Sequence, residues 1–143
     1  MRVSTLLGTV ILLISTSCAG VESMKKLRGE GETRVYTGSL AEIETAIDSA
    51  LAAERMQILE RGSGVIVAEL PGDLGLLVPI TMKAPVRLAI FTQELQGGKV
   101  QVEIAVRAGG DYGGGVLNPR AHINKNEVRD KFFTRLESTL KSR

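Results

Sequence analysis

Lys99-Val100-Gln101-Val102-Glu103-Ile104-Ala105-Val106-Arg107-Ala108 is the stretch whose reading sets the fold class. Val100, Val102, Ile104 and Val106 alternate with Gln101, Glu103, Ala105 and Arg107. A period of two sends successive side chains to opposite faces, so the pattern predicts a strand with one face buried and the other in water. Gln96-Gly97-Gly98 comes just before it, and Val86 to Leu95 before that, which predicts an antiparallel hairpin. Gln57 to Glu60 and Val65 to Leu70 flank Arg61-Gly62-Ser63-Gly64 and predict a second hairpin. Between the two, after the break at Pro71-Gly72-Asp73, Leu76 to Met82 reads as a further run, with Leu76, Val78, Ile80 and Met82 on one face. Pro79 cannot donate to a ladder and places that run at an edge or a bulge.

Around this meander the period changes to that of helices. Arg34 to Gly38 is a short β-prone run, and Ser39 with Glu42 three residues later forms a capping-box signal. Leu40, Ile43, Ile47, Ala50 and Leu51 then recur at three and four, predicting a helix that ends near Arg55. From Asn124 to Lys141 a second helix is predicted, with Val128, Phe132, Leu136 and Leu140 four apart and Phe133 beside them. Glu127 with Lys131 and Glu137 with Lys141 are spaced for i,i+4 pairing along it. The first helix is acidic and the second basic, so that side by side they would partly compensate. The resulting expectation is an α+β domain: an antiparallel sheet with two amphipathic helices packed on one face, in the order β-α-β-β-β-β-β-α.

The composition fits one such domain. The chain has 143 residues, 43% hydrophobic and 24% charged, with a net charge of +2, too little to keep it unfolded. One cysteine excludes an internal disulfide framework and a multi-thiolate zinc site, and one histidine excludes a multi-histidine metal site. No metal and no cofactor is therefore expected.

The amino terminus indicates where the protein resides. Met1 to Thr5 carries a single positive charge, and Leu6 to Ile14 is an uncharged apolar run. A spanning helix needs roughly 20 apolar residues, so this run reads as a signal peptide over residues 1–17. The only cysteine follows in Ser15-Thr16-Ser17-Cys18-Ala19-Gly20. This resembles the signal of bacterial lipoproteins, with small residues on both sides of Cys18; Ser15 departs from the aliphatic usual at that place. The resemblance implies a lipidated Cys18, and Ala19 in place of Asp implies the outer membrane. A conventional cut after Ser17 or Ala19 is the alternative that the residues leave open. Residues 18–33 are then expected to form a lipidated, flexible tether of small and charged residues. Ala19 to Thr33 would reach about 50 Å fully extended, and Lys25, Lys26 and Arg28 within it could touch anionic headgroups. Residues 34–143 form the single domain, whose layout is similar to small helix-over-sheet domains of bacterial envelope lipoproteins of unknown function.

No catalytic constellation emerges. Gly109 to Gly115 lacks the Gly-Lys-Ser/Thr ending of a phosphate loop and the strand-turn-helix setting of a dinucleotide site, so it reads as a connector. Tyr112, with Gly113 and Gly114, is the candidate partner-binding point on that connector. His122, with Asp111 upstream, has no nucleophile elbow to serve and reads as a surface histidine. Glu42/Glu44 and Glu30/Glu32 fall on a solvated helix and on the tether. Removing residues 1–17 takes away only Arg2, leaving 17 positive and 16 negative charges with few aromatics, which argues against nucleic acid. The expected function is that of a lipid-anchored envelope protein, non-catalytic, which binds or scaffolds an envelope protein partner. A small-ligand carrier using space between helices and sheet is the alternative.

Overall fold

The computed structural model describes residues 15–70, 86–108 and 124–142. In chain order these form α1 (Ser15–Lys25), β1 (Glu32–Thr37), α2 (Leu40–Ala53), β2 (Gln57–Gly62), β3 (Val65–Leu70), β4 (Val86–Leu95), β5 (Lys99–Arg107) and α3 (Lys125–Lys141). The strands make one antiparallel sheet in the order β1-β5-β4-β3-β2, so the α+β class read from the sequence is the class observed. Strands β2 to β5 follow one another as a meander, while α2 carries the chain across the sheet from one edge strand to the other. Both expected hairpins are present, with Val65 opposite Gly62 and Leu95 opposite Lys99. The expected strand at Leu76 to Met82 lies outside the described residues.

Local chemistry explains why α2 and α3 start where they do. Ser39 accepts the Glu42 backbone N–H at 3.3 Å, and the Glu42 carboxylate accepts the Ser39 N–H at 2.8 Å, which completes the capping box. The Asn124 side chain accepts the N–H groups of Asn126 and Glu127 at the start of α3. Both helices lie on the same face of the sheet. Ile43, Ala46, Ile47, Ala50 and Leu51 from α2 meet Phe132, Phe133 and Leu136 from α3 over Ile66, Ala68, Leu88, Ile90, Val100, Val102 and Ile104. Fully burying one side chain of this size is worth roughly 1.5–3 kcal/mol, so this layer dominates the stability. The facing charges compensate as expected, because Glu54 at the end of α2 takes Lys131 at 3.2 Å and Arg135 at 3.1 Å. Lys131, expected to pair with Glu127, and Glu137, expected to pair with Lys141, reach across to Glu54 and to Arg34.

The other face corrects two expectations. It was to be wet, yet Glu103 and Ala105 are only 6% and 4% exposed. Residues 18–33 were to be a flexible tether, yet α1 and the turn after it are folded onto this second face. Val21, Met24 and Leu27 are buried against Val67, Ala89, Phe91 and Ala105. Folded structure thus begins well before Arg34, and β1 itself begins at Glu32. The physical reason is the sheet's own surface. Ala89 and Ala105 are opposite one another in register and are short enough to let a helix approach, so three apolar residues suffice for docking.

Candidate functional site

The segment after α1 is held by an unusual polar clip. Glu103 projects from β5 among apolar neighbours, and its carboxylate accepts the N–H of Gly29 at 2.6 Å and of Gly31 at 2.9 Å. Two backbone donors on one buried carboxylate satisfy groups that would otherwise cost about 1–3 kcal/mol each. Both glycines are required by the geometry. Gly29 has φ +89°, and a Cβ on Gly31 would stand 2.5 Å from the Ile104 carbonyl oxygen. Arg28 donates to the Gly64 carbonyl at 3.1 Å and lies 4.8 Å from the Phe91 ring centroid. Lys25 pairs with Glu22 and Glu60. Lys25 and Arg28, two of the three cations once assigned to a tether, therefore bind the fold.

The densest charged cluster lies between β1 and α3. Arg34 donates to Glu32 at 3.0 Å and to Glu137 at 2.9 Å, and its guanidinium sits 4.1 Å from the Phe133 ring centroid. The Tyr36 hydroxyl donates to the same Glu137 oxygen at 3.3 Å. Burial, with the Glu137 carboxylate close by, pushes the Tyr36 hydroxyl well above its ordinary value and keeps it neutral. At Glu54, burial acts upward, but hydrogen bonds from Arg135 and Lys131 outweigh it and hold the carboxyl below its ordinary value. The cluster fastens α3 to the sheet edge.

Two other features face solvent. Among the described residues, strands β1 and β2 are the sheet's edges, each paired on one side only. They carry exposed apolar residues: Val35, 51% exposed, on β1, and Ile58 with Leu59 on β2. The β2 edge is bulged between Ile58 and Glu60, whereas β1 pairs with β5 in unbroken register from Glu32 to Thr37. A bulge twists an edge away from further pairing, so β1 is the more regular template for an added strand. A cleft of about 340 Å³ is bordered by Leu27, Glu30, Ala105, Val106, Arg107 and Lys125.

Of the residues singled out in the sequence, Cys18 falls in α1, its side chain outside what the structure describes. Tyr112, Gly113, Gly114, Asp111 and His122 lie outside the described residues. Glu42 completes the capping box of α2, and Glu32 joins the Arg34 cluster. Sequence reasoning missed the roles of Glu103, Gly31 and Arg28; the available signal was an acidic residue between apolar positions of β5 and the Gly29-Glu30-Gly31 repeat. Among the described residues no group of three or more His, Cys, Asp or Glu is placed to hold a metal ion. Among them, too, no helix is long and apolar enough to cross a membrane.

No family model matches the chain, and no curated protein matches it. Among solved structures, a chain in the adenylate sensor from AMP-activated protein kinase, crystallised in complex with the ribofuranotide ZMP, is similar. The match has a TM-score of 0.53 at 11% identity and covers 73% of this chain and 94% of that one. At that identity the likeness concerns the fold alone.

Proposed function

We propose that this protein is a lipid-anchored component of a bacterial cell envelope, attached through Cys18, that binds or scaffolds a protein partner without catalysing a reaction. The observation that carries the binding half of this reading is the β1 edge. Among the described residues it is an unbulged strand paired on one side only, with Val35 exposed between Thr33 and Thr37. Such an edge can take an extended partner segment through main-chain hydrogen bonds, with side chains at alternate positions setting specificity. The polar groups near it are already committed to holding α3. The anchoring half rests on the lipoprotein-like residues around Cys18. The alternative reading, a small-ligand carrier, has the cleft beside Leu27 and Arg107 to draw on.

Two measurements test the proposal. The intact mass of protein from the membrane fraction should include acyl chains, and Cys18→Ser should abolish both the added mass and the membrane retention. A photo-crosslinking residue in place of Val35 should give a discrete protein adduct in living cells, whereas one in place of Ile58 should give little. Unmodified mass would overturn the anchor, and equal capture at both edges would overturn the assignment of β1.

A further inference from the structure

If the anchor lies at Cys18 as proposed above, the structure fixes how the domain stands on the membrane. Cys18 lies within α1, Ser15–Lys25. Cys18 precedes the first docked residue, Val21, by three helical positions, a rise of about 4.5 Å. From there the chain is bound to the sheet by Val21, Met24 and Leu27, then by the Glu103 clip at Gly29 and Gly31. A flexible leash of about 50 Å is thereby reduced to less than one helical turn.

The end of the sheet at which α1 starts is also defined. Gly20 lies against the Arg87 guanidinium, which a Cβ at that position would meet at once. Arg87 is the second residue of β4, paired in register with Glu69 and Arg107 and adjacent to the Leu70–Val86 pair. The opposite end holds the β4–β5 hairpin at Gly97 and Gly98. Eight strand positions separate Arg87 from Leu95, about 27 Å along β4.

We propose that the anchored domain rests with the Leu70, Val86, Arg87 and Arg107 end of its sheet against the lipid headgroups, and with the Gly97 hairpin and the Ser39 cap pointing away. The exposed Leu70 lies at the membrane-facing end. The β1 edge then runs from a lipid-proximal Glu32 to a lipid-distal Thr37, because Glu32 pairs with Ile104 and Thr37 with Lys99. A partner strand added there would stand upright from the bilayer.

The full-length protein in its native membranes provides the test, with p-benzoylphenylalanine in place of Leu70 or, separately, of the exposed Gln96 in the Gly97 hairpin. Illumination should give lipid adducts, read by mass, at position 70 and not at position 96. Inserting ten flexible Gly/Ser residues between Gly20 and Val21 should cut the adduct at position 70 several-fold while leaving the acyl mass intact, since such a linker averages about 17 Å. Acylated protein with equal adducts at both positions, or an adduct indifferent to the insertion, would overturn this orientation and leave the anchor standing. Membrane-fraction protein without acyl chains would overturn the anchor and the orientation together.

Discussion

The two faces of the sheet are covered by different means. On the first, α2 and α3 bring a continuous apolar stripe to the aliphatic residues of three strands, β3, β4 and β5, with Phe132, Phe133 and Leu136 filling the centre. On the second, α1 and the turn after it bring only Val21, Met24 and Leu27 to a surface that includes Ala89 and Ala105, and a buried carboxylate completes the attachment. The first face is held by apolar area. The second is held by close approach and satisfied hydrogen bonds, with far less area. A helix can therefore dock without a strong apolar period when the sheet beneath it is made of small residues and supplies a polar fastening.

The comparison predicts where stability is concentrated. Phe133→Ala should cost about 3–5 kcal/mol in chemical denaturation, since it opens a cavity at the most buried contact of α3 and also removes the ring beneath Arg34. A loss below about 1 kcal/mol would mean that the first face is not the main core. Met24→Ala should cost about 2–3 kcal/mol at most, near the low end for deleting a buried Met, because α1 can release locally. Amide exchange should show the difference: in the Met24 variant the amides of residues 21–31 should exchange faster while those of β5 keep their protection. Uniform loss of protection would make the two faces one cooperative unit.

The polar fastening is tested by Gly31→Ala and Glu103→Ala. The first drives a methyl into the Ile104 carbonyl, and the second strands the N–H groups of Gly29 and Gly31. Each should cost about 1–3 kcal/mol and release the same amides as Met24→Ala. Glu103→Gln keeps an acceptor oxygen in place and should cost less than the alanine variant. If Glu103→Ala instead stabilised the protein, the clip would be incidental to the docking of α1.

The first face was legible in the sequence because periodicity reports large apolar side chains. The repeats at Ile43, Ile47 and Leu51, the alternation from Val100 to Val106 and the Ser39–Glu42 cap each state their structure within a short window. The second face was not, because its determinants are non-local. Three apolar residues scattered among Glu22, Lys25, Lys26 and Arg28 look like a solvated linker until the small residues they meet, more than forty positions away, are known. Glu103 misled for the same reason. An acidic residue in an alternating strand implies water, unless its hydrogen-bond donors arrive from Gly29 and Gly31, over seventy residues upstream. That β1 lies at an edge of the described sheet was not legible either, since which strand lies at an edge depends on pairing order.

The smallest expected effects are those of pH, and they belong to the rim of the first face. Glu54 is held below its ordinary value by Arg135 and Lys131 against the opposing effect of burial. A depressed carboxyl contributes stability above its unfolded value, about 4.3, and loses it as pH falls through the folded one. Tyr36 is raised by burial and by Glu137, so its contribution is complete below its unfolded value, about 10, and is lost as pH rises beyond that. Glu54→Gln should therefore flatten part of the acid limb of a stability-versus-pH curve. Its cost at neutral pH should be under about 1 kcal/mol, because Lys131 and Arg135 are largely solvated. Tyr36→Phe should flatten part of the alkaline limb. Met24→Ala, acting on the opposite face, should lower the whole curve without changing the shape of either limb; a change of shape would show that the two faces are coupled through β5, whose alternate side chains serve both.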